Sequence, residues 1–358
     1  MDPVTTACIN AVASAVPDHD IHHAFIDWAG RRIADRRDAA VFARMAARSG
    51  IDHRWSVLPA SAGGGSPVDV GGFYADAALP GTAARMAIYA DAAPPLGIAA
   101  IDSLRDRADL SGITHFVVAS CTGFVAPGID QIIARRVGMN PSVERLLVGF
   151  MGCYAAVAAL RSARHIVRSD PAARVLVLCV ELSTLHLTEA AAIEPLLAML
   201  QFGDGAAAAL VSADPQGLAI EAPFAATLPD SDALIRWTIT DQGFAMHLSG
   251  EVPGRIAAAM ADARFVATLS GGRALSSIDG WAVHAGGRSI LDAVERSLAL
   301  APDALADSRE VLGRFGNMSS ATLMFVLERQ IARTVEHGVA LAFGPGLAAE
   351  GFAFRSVG

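Results

Sequence analysis

Three residues of this 358-residue chain have types and settings suited to acyl transfer: Cys153, His284 and Asn317. Cys153 follows an apolar run at 146–150, which reads as a short buried strand, and Gly152, which frees the backbone to turn. From Tyr154 onward Ala, Val and Leu continue until Arg161, Arg164 and Arg168 restore polarity at helical intervals. The cysteine therefore opens a buried helix, where unpaired N–H groups and the positive end of the helix dipole lower a thiol's pKa. A buried cysteine acting as a small hydrophobe is the competing explanation. His284 ends the apolar strand of WAVHAGGRSI ahead of two glycines, so its ring projects from a strand's C-terminal edge into a crevice. Asn317 follows Gly316 in GRFGNMSSATLMFVLERQ, just before a helix, where it is either an N-cap worth ~1 kcal/mol or part of a site. Together the three have one coherent use. A thiolate takes an acyl group from a thioester, while imidazole and carboxamide hydrogen-bond the oxygen of a second thioester as charge develops on it, each donor contributing ~10² to 10³ in rate.

The elements that must hold these groups alternate strands with helices. Residues 7–16 suit a first strand, and 19–32 and 38–49 suit helices with Trp28, Val41, Phe42 and Met45 facing inward. The Gly- and Ser-rich stretch 61–72 reads as a surface loop, and Pro94 and Pro95 divide the following helical region into two helices. Residues 115–120 form a buried strand that runs into Cys121, Thr122 and Gly123, the kind of loop where α/β proteins keep their sites. Further strands are expected at 174–181, 237–240 and 281–284, with a glycine-bracketed turn entering an all-small strand over 201–212 and helices near 253–269 and 289–300. The chain closes with a strand at 339–343, a Gly344-Pro345-Gly346 turn and 351–355. A looser, proline-punctuated region after Asp214 separates two similar halves, 1–214 and 215–358, of a layered α/β fold.

Composition removes several classes of function. All 28 basic residues are arginines, which excludes lysine Schiff-base chemistry and a Walker P-loop, and the net charge of −8 without a basic cluster argues against nucleic acid. The chain is 53% hydrophobic, yet it lacks an apolar run of the ~18 residues that a membrane span needs, so no membrane insertion is expected. No secretory signal is apparent and the cytoplasm is the expected location. The four cysteines, Cys8, Cys121, Cys153 and Cys179, are scattered without a C-x-x-C pair, so neither zinc nor disulfides are expected.

The stretches GCYAAVAALRSA, FGDGAAAALV, WAVHAGGRSILDAVE, GNMSSATLMFVL and AFGPGLAAE, in this order and spacing, resemble the type III polyketide synthases, the chalcone synthase-like branch of the thiolase superfamily. The resemblance covers residues 114–355 and its wording is closer to bacterial members. It implies a five-layered αβαβα thiolase fold made as a homodimer. It also implies that Cys153 carries the starter and growing chain, and that His284 and Asn317 promote decarboxylation of malonyl-CoA, with His284 helping to keep the thiol ionised. Phe202 would gate the passage between CoA tunnel and cavity. Malonyl-CoA and an acyl-CoA starter would be the substrates, with no metal or redox cofactor.

Further cavity positions follow from the same resemblance. Met246 stands where plant enzymes have a second gate phenylalanine, and Ala126 where they place a methionine that crosses to the partner subunit. Cys121 and Thr122 occupy the loop after the strand ending at Ser120, and Ser183 and His186 replace two threonines. Ser319, Gly344 and Pro345 complete the set, and Arg48 and Arg54 lie where CoA phosphates would be gripped, although Asp52 stands where a cation is expected. Two rivals remain open from sequence: a fatty-acid-style ketoacyl synthase III that needs an acyl carrier protein, and a catalytically silent subunit. No basic docking patch for a carrier is visible, and a silent subunit has no reason to keep all three central residues.

Overall fold

The run VLVLCVEL has no polar face because neither side of it meets water. In the computed structural model, which describes residues 5–75 and 78–358, it forms the strand Val175–Leu182, every residue of which is buried. Val175, Val177 and Cys179 enter one apolar cluster, whereas Leu176, Leu178, Val180 and Leu182 enter another. Successive side chains of a strand point to opposite faces, so this one serves two core layers at once.

Among the described residues thirteen strands form. They are β1 (Cys8–Ala15), β2 (His19–Asp20), β3 (Trp55–Ser56), β4 (His115–Ser120), β5 (Glu144–Gly149), β6 (Val175–Leu182), β7 (Asp204–Ser212), β8 (Gly217–Thr227), β9 (Ile235–Thr240), β10 (Gly243–Leu248), β11 (Gly280–Val283), β12 (Gly338–Gly344) and β13 (Ala348–Val357). Nine of them join in the order β11-β12-β13-β8-β1-β7-β6-β4-β5. The pairing repeats itself. β1 is antiparallel to β7, β7 antiparallel to β6 and β6 parallel to β4, while β8 is antiparallel to β13, β13 antiparallel to β12 and β12 parallel to β11. Only two residue pairs, Cys8 with Ala219 and Ile9 with Leu218, join the two sets through β1 and β8.

Three apolar clusters account for five layers. The helices Ala155–Ser169 and Ser320–Gln330 share the middle cluster with Ala207 and Ala209 of β7 and Ala340 and Ala342 of β12, so the two sets of strands close over this helix pair. Small alanines on both sides permit that close approach. The long helix Thr82–Arg105 covers the outer face of the first set, and Arg288–Ser297 covers that of the second. The architecture is that of the five-layered thiolase-like fold.

Several expectations are corrected. Pro94 and Pro95 do not divide a helix; both lie inside Thr82–Arg105, held by packing of Ala93, Leu96 and Ala100 against the sheet. The region 253–269 is instead two helices, Val252–Met260 and Ala263–Leu269. Met45 is on the outer side of the helix Arg36–Ala47 and 49% exposed. The stretch 61–72 is only partly surface, since Ser61, Ser66 and Pro67 are buried. The run expected as a buried strand ahead of Cys153 is β5, the sheet's edge, and Leu146 and Leu147 are 44% and 42% exposed.

Candidate active site

Beyond β5 the chain turns through Phe150 and Gly152, both with positive φ, and passes a short 3-10 turn, Gly152–Tyr154, into the helix Ala155–Ser169. Gly152 has φ +74°, and a Cβ there would stand 2.4 Å from Pro345 Cδ, so only glycine fits against the Gly344-Pro345 turn. Cys153 is thereby fixed at the middle of the turn and 8% exposed. Burial pushes its thiol up to about 12; hydrogen bonds from the Ser319 hydroxyl and Asn317 carboxamide pull it down, and the neighbouring Glu181 pushes it up. The expected lowering is thus overturned, because desolvation outweighs a helix terminus and none of the groups acting on the sulfur is a cation.

His284 follows β11, its backbone N–H donating to the Leu341 carbonyl at 2.8 Å. Its ring is 1% exposed with neither nitrogen hydrogen-bonded, and burial lowers its pKa to about 3, so it is a neutral imidazole. A Cβ at Gly286 would lie 3.3 Å from Nε2; the glycine leaves that ring edge clear. Asn317 Nδ2 donates to the Gly286 carbonyl at 3.2 Å, and Asn317 Oδ1 accepts from the Ser319 N–H at 2.8 Å. The helix itself begins after Ser319, which has a left-handed φ of 48° and makes no side-chain cap bond, so Asn317 lies two residues ahead of the cap position and its Oδ1 serves the turn before the helix. Asn317 also bridges Phe202, with Asn317 N–H bound to Gln201 and its carbonyl to Gly203.

Cys153 faces a narrow cavity. Of the sequence-predicted positions, Cys121, Thr122, Ser183, Phe202, Met246, Ser319 and Pro345 line it as well. Gly344 is against the Cys153 backbone without lining the cavity. His284 and Asn317 are buried, 1% and 3% exposed, and do not line it. His186 is outside this cavity, its ring stacked on Phe244 at 4.2 Å. Ala126 lines no wall here; it is exposed, at the start of the loop before the helix Ile129–Arg136.

Comparison with known proteins decides the family. Residues 5–215 match the N-terminal domain of the chalcone and stilbene synthases, and residues 220–358 match the C-terminal domain. The chain belongs to this family and is a type III polyketide synthase. A protein described as alpha-pyrone synthesis polyketide synthase-like Pks18, from Mycobacterium tuberculosis, is 36% identical over 286 residues, 75% of this chain and 72% of its own length. Among solved structures, PKS-I from the brown alga Ectocarpus siliculosus superposes with a TM-score of 0.88 at 29% identity, covering 100% of both chains. The C-terminal type III polyketide synthase domain of Steely1 from Dictyostelium gives 0.87 at 25% identity, over 99% of this chain and 100% of that one.

The two arginines expected at CoA part company in this synthase. Arg48 lies in an open groove with Arg44 and Arg288, and Arg288 Nη1 donates to the Arg48 carbonyl at 3.0 Å. Arg54 is 1% exposed, and its guanidinium donates to His22 and to the Met199 and Phe202 carbonyls. It is not a phosphate ligand. It holds the backbone beneath Phe202.

Sequence inspection missed two residues of the synthase site. Trp237 lines the cavity and donates from Nε1 to the Cys121 carbonyl at 3.1 Å, but in the sequence it is only one apolar residue of a short strand. Glu181 is wholly buried and receives the Cys121 N–H at 3.0 Å, the Thr122 hydroxyl at 2.9 Å and the Ser320 hydroxyl at 2.5 Å. A lone carboxylate in an otherwise apolar strand was the available signal. Burial raises its pKa, against which these donors work.

Proposed function

We propose that this synthase extends an acyl-CoA starter with malonyl-CoA through Cys153. The Cys153 thiol gives its proton to neutral His284, and the sulfur attacks the starter carbonyl and expels CoA as its thiol. Malonyl-CoA then loses CO2, and the enolate oxygen is stabilised by donors from the Asn317 carboxamide and the His284 ring. Attack of the enolate carbon on the Cys153 thioester forms the C–C bond and releases the sulfur. Reloading of the lengthened chain repeats the cycle until cyclisation gives a pyrone, resorcinol or other phenol. No electrons are gained or lost, so no redox cofactor enters the balance, and no step calls for a metal.

The observation that carries this reading is the Asn317 carboxamide, which acts on the Cys153 thiol and donates to the Gly286 carbonyl in the turn beside the unpartnered His284 ring. Arg44, Arg48 and Arg288 at the outer groove supply cations for the phosphates of CoA. The functional division at 1–214 and 215–358 puts the nucleophile in the first half and His284 and Asn317 in the second. An exposed β5 with Leu146 and Leu147 outward supports a homodimer paired along this edge. No helix among the described residues is long and apolar enough to cross a membrane, and a cytoplasmic location suits CoA substrates.

The test is purified protein with malonyl-CoA and a panel of acyl-CoAs. CO2 release and polyketide, with the acyl adduct on the Cys153 peptide, are expected. Product from Cys153→Ala at the wild-type rate would show that the nucleophile is elsewhere, and activity confined to carrier-bound malonyl groups would favour a ketoacyl synthase III-like reaction.

A further inference from the structure

Arg54 stands under the place where Phe202 and Asn317 meet. Those two residues form a parallel bridge, in which the Asn317 N–H donates to the Gln201 carbonyl at 2.8 Å and the Gly203 N–H to the Asn317 carbonyl at 3.0 Å. On one side of the bridge Arg54 Nη1 donates to the carbonyls of Phe202 at 2.8 Å and Met199 at 3.1 Å. On the other side its stem packs against the residue just ahead of Asn317, where a Cβ at Gly316 would stand 2.9 Å from Arg54 Cγ. One side chain therefore touches both strands of the bridge. Its neighbours are tied to the same loop: the Asp52 and His53 N–H groups donate to the Gly313 carbonyl at 2.8 and 3.1 Å, and Trp55 Nε1 donates to the Arg314 carbonyl at 3.0 Å.

The guanidinium is itself held from several directions. The Arg54 N–H donates to Asp20 Oδ1 at 3.2 Å, and its carbonyl accepts the Ile21 N–H at 2.8 Å. Nε donates to His22 Nδ1 at 3.0 Å, and the guanidinium carbon is 4.7 Å from the centre of the Phe25 ring. Among the described residues no carboxylate bonds the guanidinium, and Nη2 has no partner. Burial lowers its pKa to about 9 while Asp20 and Asp204 oppose the shift, so it is a cation at neutral pH. A buried cation without a bonded carboxylate is a poor stabilising device, since apolar packing would avoid its desolvation cost. What it supplies is a rigid plane with donors at fixed angles.

We infer that Arg54 is a positioning residue for decarboxylation: by holding the Phe202 carbonyl and Gly316 together, it sets the Asn317 carboxamide where the malonyl thioester oxygen gains charge. The inference rests on the synthase reading and gives that reaction a residue outside the thiol cavity.

Arg54→Lys keeps the charge and loses the plane. With the acyl adduct formed on Cys153 from acyl-CoA alone counting the folded sites, malonyl-CoA decarboxylation per site is expected to fall ~10-fold or more. Its KM is expected to stay within about twofold, because CoA is gripped elsewhere, at Arg44, Arg48 and Arg288. Combining Arg54→Lys with Asn317→Ala is expected to add less than about threefold to the loss in Asn317→Ala, since Arg54 acts through that carboxamide. Amide exchange in the peptides over 199–204 and 313–319 is expected to quicken ~10-fold. Should lysine prevent folding, His22→Phe, which removes the Nε acceptor and keeps the guanidinium, is expected to show the same split at smaller size. Unchanged decarboxylation per site in a folded variant, or full multiplication of the two losses in the double variant, overturns the inference. An equal loss in Trp55→Phe, which cuts another tie to the same loop, overturns it as well. No CO2 release by wild-type protein would remove the synthase reading, and the exchange rates then decide the positioning role alone.

Discussion

The Asn317 carboxamide donates to the Gly286 carbonyl at 3.2 Å, tying the catalytic candidate on one loop to the turn that follows His284. The same carboxamide is within hydrogen-bonding reach of the Cys153 thiol. Asn317→Ala removes a donor and loosens that turn together. Malonyl-CoA decarboxylation by Asn317→Ala is expected to fall ~100-fold or more, with the fold retained by circular dichroism. A loss below threefold would show that the carboxamide faces no developing charge.

The raised thiol has a kinetic signature. Iodoacetamide labelling of the Cys153 peptide in free enzyme, followed by mass spectrometry, is expected to accelerate about tenfold per pH unit from pH 7 to 9 without levelling, since the thiolate is still scarce there. Levelling below pH 9 would contradict it. Ser319→Ala, which deletes one of the two donors, is expected to slow labelling further. The matching stability term is complete below the unfolded thiol's pKa and is lost as pH climbs from 9 toward 12.

Three buried imidazoles set the acid limit. Burial lowers His284 and His186 to about 3 and, with Arg54 beside it, His22 to about 4. At pH 5 the unfolded chain protonates them and the folded one does not, so stability is present above pH 6.5 and falls as pH drops toward 3. Urea unfolding between pH 6.5 and 4 is expected to show this slope. His284→Gln is expected to reduce it by up to ~1.4 kcal/mol per pH unit. An unchanged slope would show that His284 is already protonated in the folded protein.

The exposed edge makes its own prediction. Light scattering is expected to give twice the chain mass for wild type and one chain mass for Leu147→Arg, because a charge on the edge strand blocks pairing. A dimeric Leu147→Arg protein would place the subunit contact elsewhere.

Much of the site was legible because its residues stand where one element ends and another begins. Cys153 after Gly152, His284 after β11 and Asn317 after Gly316 are marked by glycines and by the change of apolar period from strand to helix. Trp237 and Arg54 carried no such mark. An indole in a strand or an arginine near a helix takes its role from what it touches, and those contacts come from residues distant in the chain. Pro94 and Pro95 misled for the same reason, since packing against the sheet outweighs a local preference to end the helix.

Sequence alone determined the alternation of strands with helices, the three candidate reactive positions and the absence of lysine chemistry, all of which depend on residue type and near-neighbour spacing. Tertiary structure decided the burial of Cys153, His284 and Arg54 and the exposure of β5. Each of these is a matter of solvent access and of which distant side chains share a space. Neither is written in local order along the chain.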